Sequence, residues 1–370
     1  MRFAFDDTQL ELKRGARAFL ATASSPARVR AASTTDEGFE ADVWRRIATE
    51  LAWPALLVPE AYGGAGCGFV ELAAVLEETG RALLCAPLFA TACLATPLLA
   101  AAASEEQKGE VLGAVAAGEA TATLAWADDA SAPLVAERAD GGLVLRGGKR
   151  FVLDGHTATW LLVEARDAEA GGSSLFLVRG DARGLARSRV ATLDATRPQA
   201  SLAFDGVRVA ASARVGAPGE GASRVAWAVQ RAAVGLAAEQ VGGAERCLEM
   251  ALDYAKTRVQ FGRVIGSFQA IKHKLADMFV DVETSRSAAY HAAWAASVDD
   301  PDLPLSAAQA KAWCSEAFFR VASENLQIHG GIGFTWEHDA HLWFKRARSS
   351  EALLGDPASH RDAFAASLGL

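Results

Sequence analysis

The chain has 370 residues, 51% of them hydrophobic, enough to bury a substantial core without disulfides or metals. Its net charge of −8 argues against nucleic acid or an anionic membrane as partner, since either favours a broad basic face. The five cysteines, Cys67, Cys85, Cys93, Cys247 and Cys314, form no C-x-x-C pair and read as reduced core residues, neither zinc ligands nor a disulfide framework.

In chain order, Met1–Asp7 lacks the basic and then apolar segments of a secretory signal, which predicts a cytoplasmic protein. Leu10, Leu12, Ala16, Phe19 and Leu20, then Val70, Leu72, Val75 and Leu76, recur at helical spacing. The loop Pro59-Glu60-Ala61-Tyr62-Gly63-Gly64-Ala65-Gly66 interrupts this region. The apolar run from Leu83 to Ala103 is mostly alanine and contains Pro87 and Pro97, so it predicts a buried helical hairpin, not a membrane span.

From Thr121 the texture changes. Leu143-Val144-Leu145, Leu161-Leu162-Val163, Leu175-Phe176-Leu177-Val178 and Leu202-Ala203-Phe204 are short apolar runs between turn residues, the signature of antiparallel strands. Asp140-Gly141-Gly142 and Asp205-Gly206 are expected tight turns. Long helical patterns return over Val225–Val259, Gln269–Ser297 and Ser306–Gly330, as an antiparallel bundle requires. The expected fold is α+β multidomain and mainly α: a helical domain over 1–120, a middle antiparallel β domain over 121–221, and a C-terminal four-helix bundle over 222–370.

Two segments are more specific than composition. The first runs Tyr254-Ala255-Lys256-Thr257-Arg258-Val259-Gln260-Phe261-Gly262-Arg263 and on through Ser267-Phe268-Gln269 to Met278. The second is Gln327-Ile328-His329-Gly330-Gly331-Ile332-Gly333-Phe334-Thr335-Trp336-Glu337. Together with Phe204-Asp205-Gly206-Val207-Arg208-Val209 and the Pro59–Gly64 loop, they resemble the acyl-CoA dehydrogenase family along nearly the whole chain. The resemblance implies FAD as cofactor, an acyl-CoA thioester as substrate, an electron-transfer flavoprotein as possible acceptor, and an obligate oligomer. It places Arg258, Phe261, Gln269, Gln327, Gly330 and Gly331 against the FAD of a neighbouring subunit. The chemistry suits them: a forked cation for a pyrophosphate, an apolar face for adenosine, an amide that donates and accepts, and glycines where backbone approaches a ligand. His329 is equally compatible with a core role, and Trp336, Trp343 and Phe344 read as packing.

The family's reaction needs a carboxylate to remove the α proton while a hydride leaves the β carbon for the flavin. Here the equivalent position carries Leu354, inside Glu351-Ala352-Leu353-Leu354-Gly355-Asp356, and leucine takes no proton. Glu351 is a weak substitute, as is Asp356. The alternative base position in the first bundle helix falls on Ala232, with Gln230 nearby. The flavin-cradling loop is replaced by Ala125–Pro133 without its glycines, and Leu153 stands where a hydroxyl meets the flavin, although Phe151 keeps an aromatic face. The losses fall on a subunit's own flavin site, and the motifs that reach a neighbour's FAD remain. The resulting expectation is the base-lacking partner of a heteromeric acyl-CoA dehydrogenase, whose relatives often handle bulky thioesters such as steroid side-chain fragments. The alternatives are a self-sufficient homo-oligomer with an unorthodox base, and a non-catalytic acyl-CoA-binding or structural homologue.

Overall fold

The computed structural model describes residues 5–370; the first four residues of the N-terminal reading lie outside them. The helices are α1 (Asp7–Ala23), α2 (Pro26–Ser33), α3 (Ala41–Thr49), α4 (Phe69–Arg81), α5 (Thr96–Ala102), α6 (Glu105–Gln107) and α7 (Gly113–Ala116). The strands β1 (Ala122–Ala125), β2 (Val135–Ala139), β3 (Gly142–Leu153), β4 (Trp160–Asp167), β5 (Gly172–Arg179), β6 (Leu185–Val190), β7 (Gln199–Val209) and β8 (Arg214–Val215) follow. Then come α8 (Gly221–Thr257), a hairpin of β9 (Val259–Gln260) and β10 (Arg263–Val264), α9 (Gln269–Ser297), α10 (Leu303–His329), α11 (Ala340–Ala352) and α12 (Pro357–Ser367). The chain divides into two compact units, residues 1–30, 68–84 and 232–370, and residues 31–67 and 85–231.

In the first unit, α1 and α4 join the bundle of α8 to α12. Gln9 and Asp6 form a reciprocal capping box that starts α1. Small residues set how closely the helices approach. A Cβ on Gly80 would lie 1.9 Å from the Glu239 carbonyl oxygen, and one on Gly242 would lie 1.7 Å from that of Glu77, so α4 and α8 touch backbone to backbone. Beside this crossing, the fully buried Glu77 carboxylate meets Lys13 at 2.7 Å and Arg286 at 3.0 Å, and Glu78 meets Arg17 at 2.8 Å. Deeper in the bundle, Arg346 and Glu239 form a buried pair at 2.6 Å.

In the second unit, the sheet runs β6-β7-β3-β2-β4-β5-β8, with β1 alongside β4. It is antiparallel except where β4 pairs in parallel with β1 and β2. Alternating residues of the predicted runs, including Leu143, Leu145, Leu161, Val163, Phe176, Leu202 and Phe204, fill one core. Every predicted strand run lies inside a strand, and Asp140-Gly141 is a hairpin turn joining β2 to β3. Two local readings need correction. Asp205-Gly206 is no hairpin: it lies within β7, where Gly206 (φ 71°) is the extra residue of a bulge opposite Leu145 and Arg146. Leu83–Ala103 is no helical hairpin either. From Leu88 it is one continuous helix, buried as far as Leu99, whose Ala90–Ala95 segment is π-helical, and that wider turn absorbs the N–H missing at Pro97. Among the described residues no helix is long and apolar enough to cross a membrane, and no cluster of side chains is set to hold a metal.

Candidate functional site

The two motif segments of the first unit meet at one end of its bundle. Tyr254, in the last turn of α8, stacks on His329, the last residue of α10, with ring centroids 4.4 Å apart. His329 in turn lies 4.4 Å from the His338 ring and is held by the Asn325 carbonyl, 2.8 Å from its Nδ1. Burial pushes the His329 imidazole below its ordinary pKa, and nearby His338 adds to the effect. Arg258 therefore follows the end of α8 close to the last turn of α10, which holds Gln327 and ends at Gly330. Arg258 and Gln327 are both exposed, and neither side chain finds a partner among the described residues.

Between β9 and β10 the chain turns on two residues, Phe261 (φ 52°) and Gly262 (φ 77°). Two successive positive φ values are the mark of a type I′ hairpin turn, which asparagine and glycine normally occupy. A phenylalanine there costs about 1–2 kcal/mol. Its ring is 91% exposed and sits T-shaped to that of Phe268, with centroids 6.2 Å apart, so little packing within the unit offsets the strain. Strain of this kind collects at binding sites. Gly330, at φ 65° and ψ −145°, occupies a conformation open essentially to glycine alone, and it closes α10 by donating to the Gln327 and Leu326 carbonyls. A Cβ on Gly330 or Gly331 would meet no atom within 4 Å, so the space before this backbone is open. Gln269 begins α9 nearby in sequence and bonds His273 at 3.2 Å.

The loop at residues 351–356 is built differently. Leu354 is 8% exposed at φ 62°, another left-handed non-glycine residue. The Glu351 carboxylate is engaged by Arg348. Asp356 caps α12, accepting from the Ser359 N–H at 2.8 Å, and that bond holds its carboxyl below the usual range. Ala232 is fully buried and offers no titratable group. Two residues missed in the sequence define this loop, Lys311 and His360. Lys311 Nζ donates to the carbonyls of Gly355 (2.9 Å) and Glu351 (3.2 Å), and the Leu354 carbonyl lies 3.0 Å from His360 Nε2. A lone lysine in the alanine-rich Ser306–Phe318 run was the available signal.

In the second unit, Ala125–Pro133 is fastened onto β3. Buried Lys149 donates to the Trp126 carbonyl at 2.9 Å and to Asp128 at 2.6 Å, while the Arg150 N–H donates to Ala127 at 2.8 Å. Beyond this fastening Phe151 adopts φ 57°, and its ring is 55% exposed. Leu153 is buried, and its carbonyl accepts from the Thr123 hydroxyl at 2.7 Å. No hydroxyl stands on the side chain at that position.

The chain as a whole is similar to known proteins. Two family models match, acyl-CoA dehydrogenase, N-terminal domain over residues 6–119, and acyl-CoA dehydrogenase, C-terminal domain over residues 219–369. Acyl-CoA dehydrogenase IpdE2 of Mycobacterium tuberculosis is 36% identical over 94% of this chain and 92% of its own length. A chain of the ChsE4–ChsE5 complex from the same organism superposes with a TM-score of 0.91 at 29% identity, covering 100% of this chain and 99% of that one. A variant of the Tcur3481–Tcur3483 steroid ACAD superposes at 0.86 with 30% identity over 98% of each chain.

Proposed function

The chain belongs to the acyl-CoA dehydrogenase family, and from that premise we propose that it is the base-lacking subunit of a heteromeric, FAD-dependent acyl-CoA dehydrogenase. The observation that carries this reading is Leu354. Leucine occupies the position of the family's base, and the two nearby carboxylates are committed elsewhere, Glu351 to Arg348 and Asp356 to the α12 cap. A sister chain would supply the carboxylate that removes the α proton of the acyl-CoA.

The residues at the bundle end fit half of an FAD. Arg258 is a free guanidinium suited to a pyrophosphate, Phe261 presents an unpacked ring to an adenosine, and the backbone at Gly330 and Gly331 faces open space. Gln327 and Gln269 add exposed amides. FAD, when bound, supplies the hydride acceptor that the side chains lack. The fit is poorer at Phe151 and Leu153, where the aromatic face is kept and the hydroxyl is not. This division supports a chain that lends contacts to FAD held mainly by its partner. Similarity to a chain of the ChsE4–ChsE5 complex supports a heteromer, and similarity to the Tcur3481–Tcur3483 steroid ACAD supports a steroid-derived thioester as substrate.

The test is the visible absorption spectrum of this chain purified alone and then co-expressed with a sister acyl-CoA dehydrogenase chain. Colourless protein alone, with flavin and thioester oxidation appearing on co-expression, is the expected result. Near-stoichiometric FAD and turnover by the isolated chain overturn it.

A further inference from the structure

Lys311 lies in the first third of α10 and is completely buried. Buried lysines are uncommon, and an ammonium needs acceptors for three N–H groups. Lys311 has all three: Ser315 Oγ at 2.9 Å, the Gly355 carbonyl at 2.9 Å and the Glu351 carbonyl at 3.2 Å. Ser315 is itself fixed by Gln240 Nε2 of α8 at 3.0 Å. From the other side, His360 Nε2 sits 3.0 Å from the Leu354 carbonyl, and because a carbonyl only accepts, that nitrogen carries the ring proton. Among the described residues no carboxylate pairs with Lys311, since Glu351 turns to Arg348 and Asp356 to its cap. The lysine spends its bonds on one serine and on the backbone of a single loop.

That loop is the one whose shape needs support. Leu354 (φ 62°) and Gly355 (φ 102°) are both left-handed, and such a leucine persists only where its surroundings over-determine it. We propose that Lys311, assisted by His360, is a positioning residue that latches the 351–355 loop and so fixes the direction of the side chain at position 354. The latch concerns the frame of the loop, so it stands whichever subunit supplies the base.

A titration distinguishes this role from simple packing. Burial lowers the Lys311 pKa to about 8, against the opposing influence of Cys314, Glu351 and Asp356. The other groups facing it are His360, which burial holds below its usual range, and the uncharged Ser315 and Gln240. The Cys314 thiol is pushed up to about 12. Lys311 is then the group here that changes charge between about pH 7 and 9. The neutral amine keeps two N–H groups for the two loop carbonyls and can hold Ser315 only by accepting from its hydroxyl, so the carbonyl bonds lose their charge assistance and the latch loosens as pH rises through about 8.

Amide hydrogen exchange of the purified protein, followed by mass spectrometry from about pH 6.5 to 9 and corrected for intrinsic base catalysis, reads this directly. The reporter is the Leu353 N–H, bonded to the Ser349 carbonyl at 3.1 Å, with peptides of α9 as the control. Protection of the loop is expected to fall about five- to tenfold across the range while α9 is unchanged. In Lys311→Met, protection is expected to be low and independent of pH. Constant loop protection in the wild type overturns the proposal, and so does a Lys311→Met variant that keeps full protection or the same pH response. Should the variant fail to fold, the wild-type series decides alone.

Discussion

Tyr254 and His329 lie face to face, 4.4 Å between ring centroids and 28° between planes, and this contact ties the end of α8 to the end of α10. It brings the two motif segments, far apart in sequence, to one end of the bundle. It also encloses an imidazole that resists protonation.

That resistance sets an acid limit on stability. The folded pKa of His329 lies below the unfolded value of about 6.5, so the unfolded chain binds the proton first as pH falls. Stability is complete above about pH 6.5 and is lost below it; His341, His360 and His156 shift in the same direction through burial and add to the loss. The melting temperature is expected to drop between about pH 7 and 5, and less steeply in His329→Gln. Identical slopes for the two proteins would refute the assignment.

Phe261→Asn separates stability from binding. Asparagine accepts the left-handed turn that strains phenylalanine, so the denaturant midpoint should rise, by about 0.5–1 kcal/mol of stability. The same variant loses the exposed ring, and flavin bound per assembled complex should fall. A variant with unchanged flavin content would remove Phe261 from the cofactor site.

Glycines sort by what faces them. Gly242→Ala and Gly80→Ala drive a methyl into helix backbone and should cost about 1–3 kcal/mol or more each, measured by chemical denaturation. Gly331→Ala meets open space within its own chain and should fold normally, yet weaken flavin retention in the complex. Normal stability of Gly242→Ala would contradict the close crossing.

Arg346→Met removes the cation 2.6 Å from the buried Glu239 carboxylate, and its loss is expected to cost about 3–5 kcal/mol. Thermal unfolding reads it; a loss below about 1 kcal/mol would mean the carboxylate is satisfied without it.

Much of this was legible in the sequence. Apolar spacing located α9 to the residue and gave α8 and α10 to within three residues at each end except the start of α8, and the alternating runs found four strands of the sheet. The bundle-end residues came from motif alone. What escaped was tertiary. The helix through Pro97 needs a π-helical turn that no local rule announces, and Gly206 is a bulge only because β3 lies opposite. Lys311 reads as an ordinary charged residue until Glu351 and Gly355 fold over it, some forty residues along the chain.

The meeting of Gly80 and Gly242 with helix carbonyls also limits how this protein can be repaired. A side chain that clashes with a side chain can be accommodated by trimming the neighbour. Here the obstructing atoms are the carbonyl oxygens of Glu239 and Glu77, which every amino acid carries. A screen for second-site suppressors of Gly242→Ala should therefore return revertants at position 242, and changes at position 77 should not restore function.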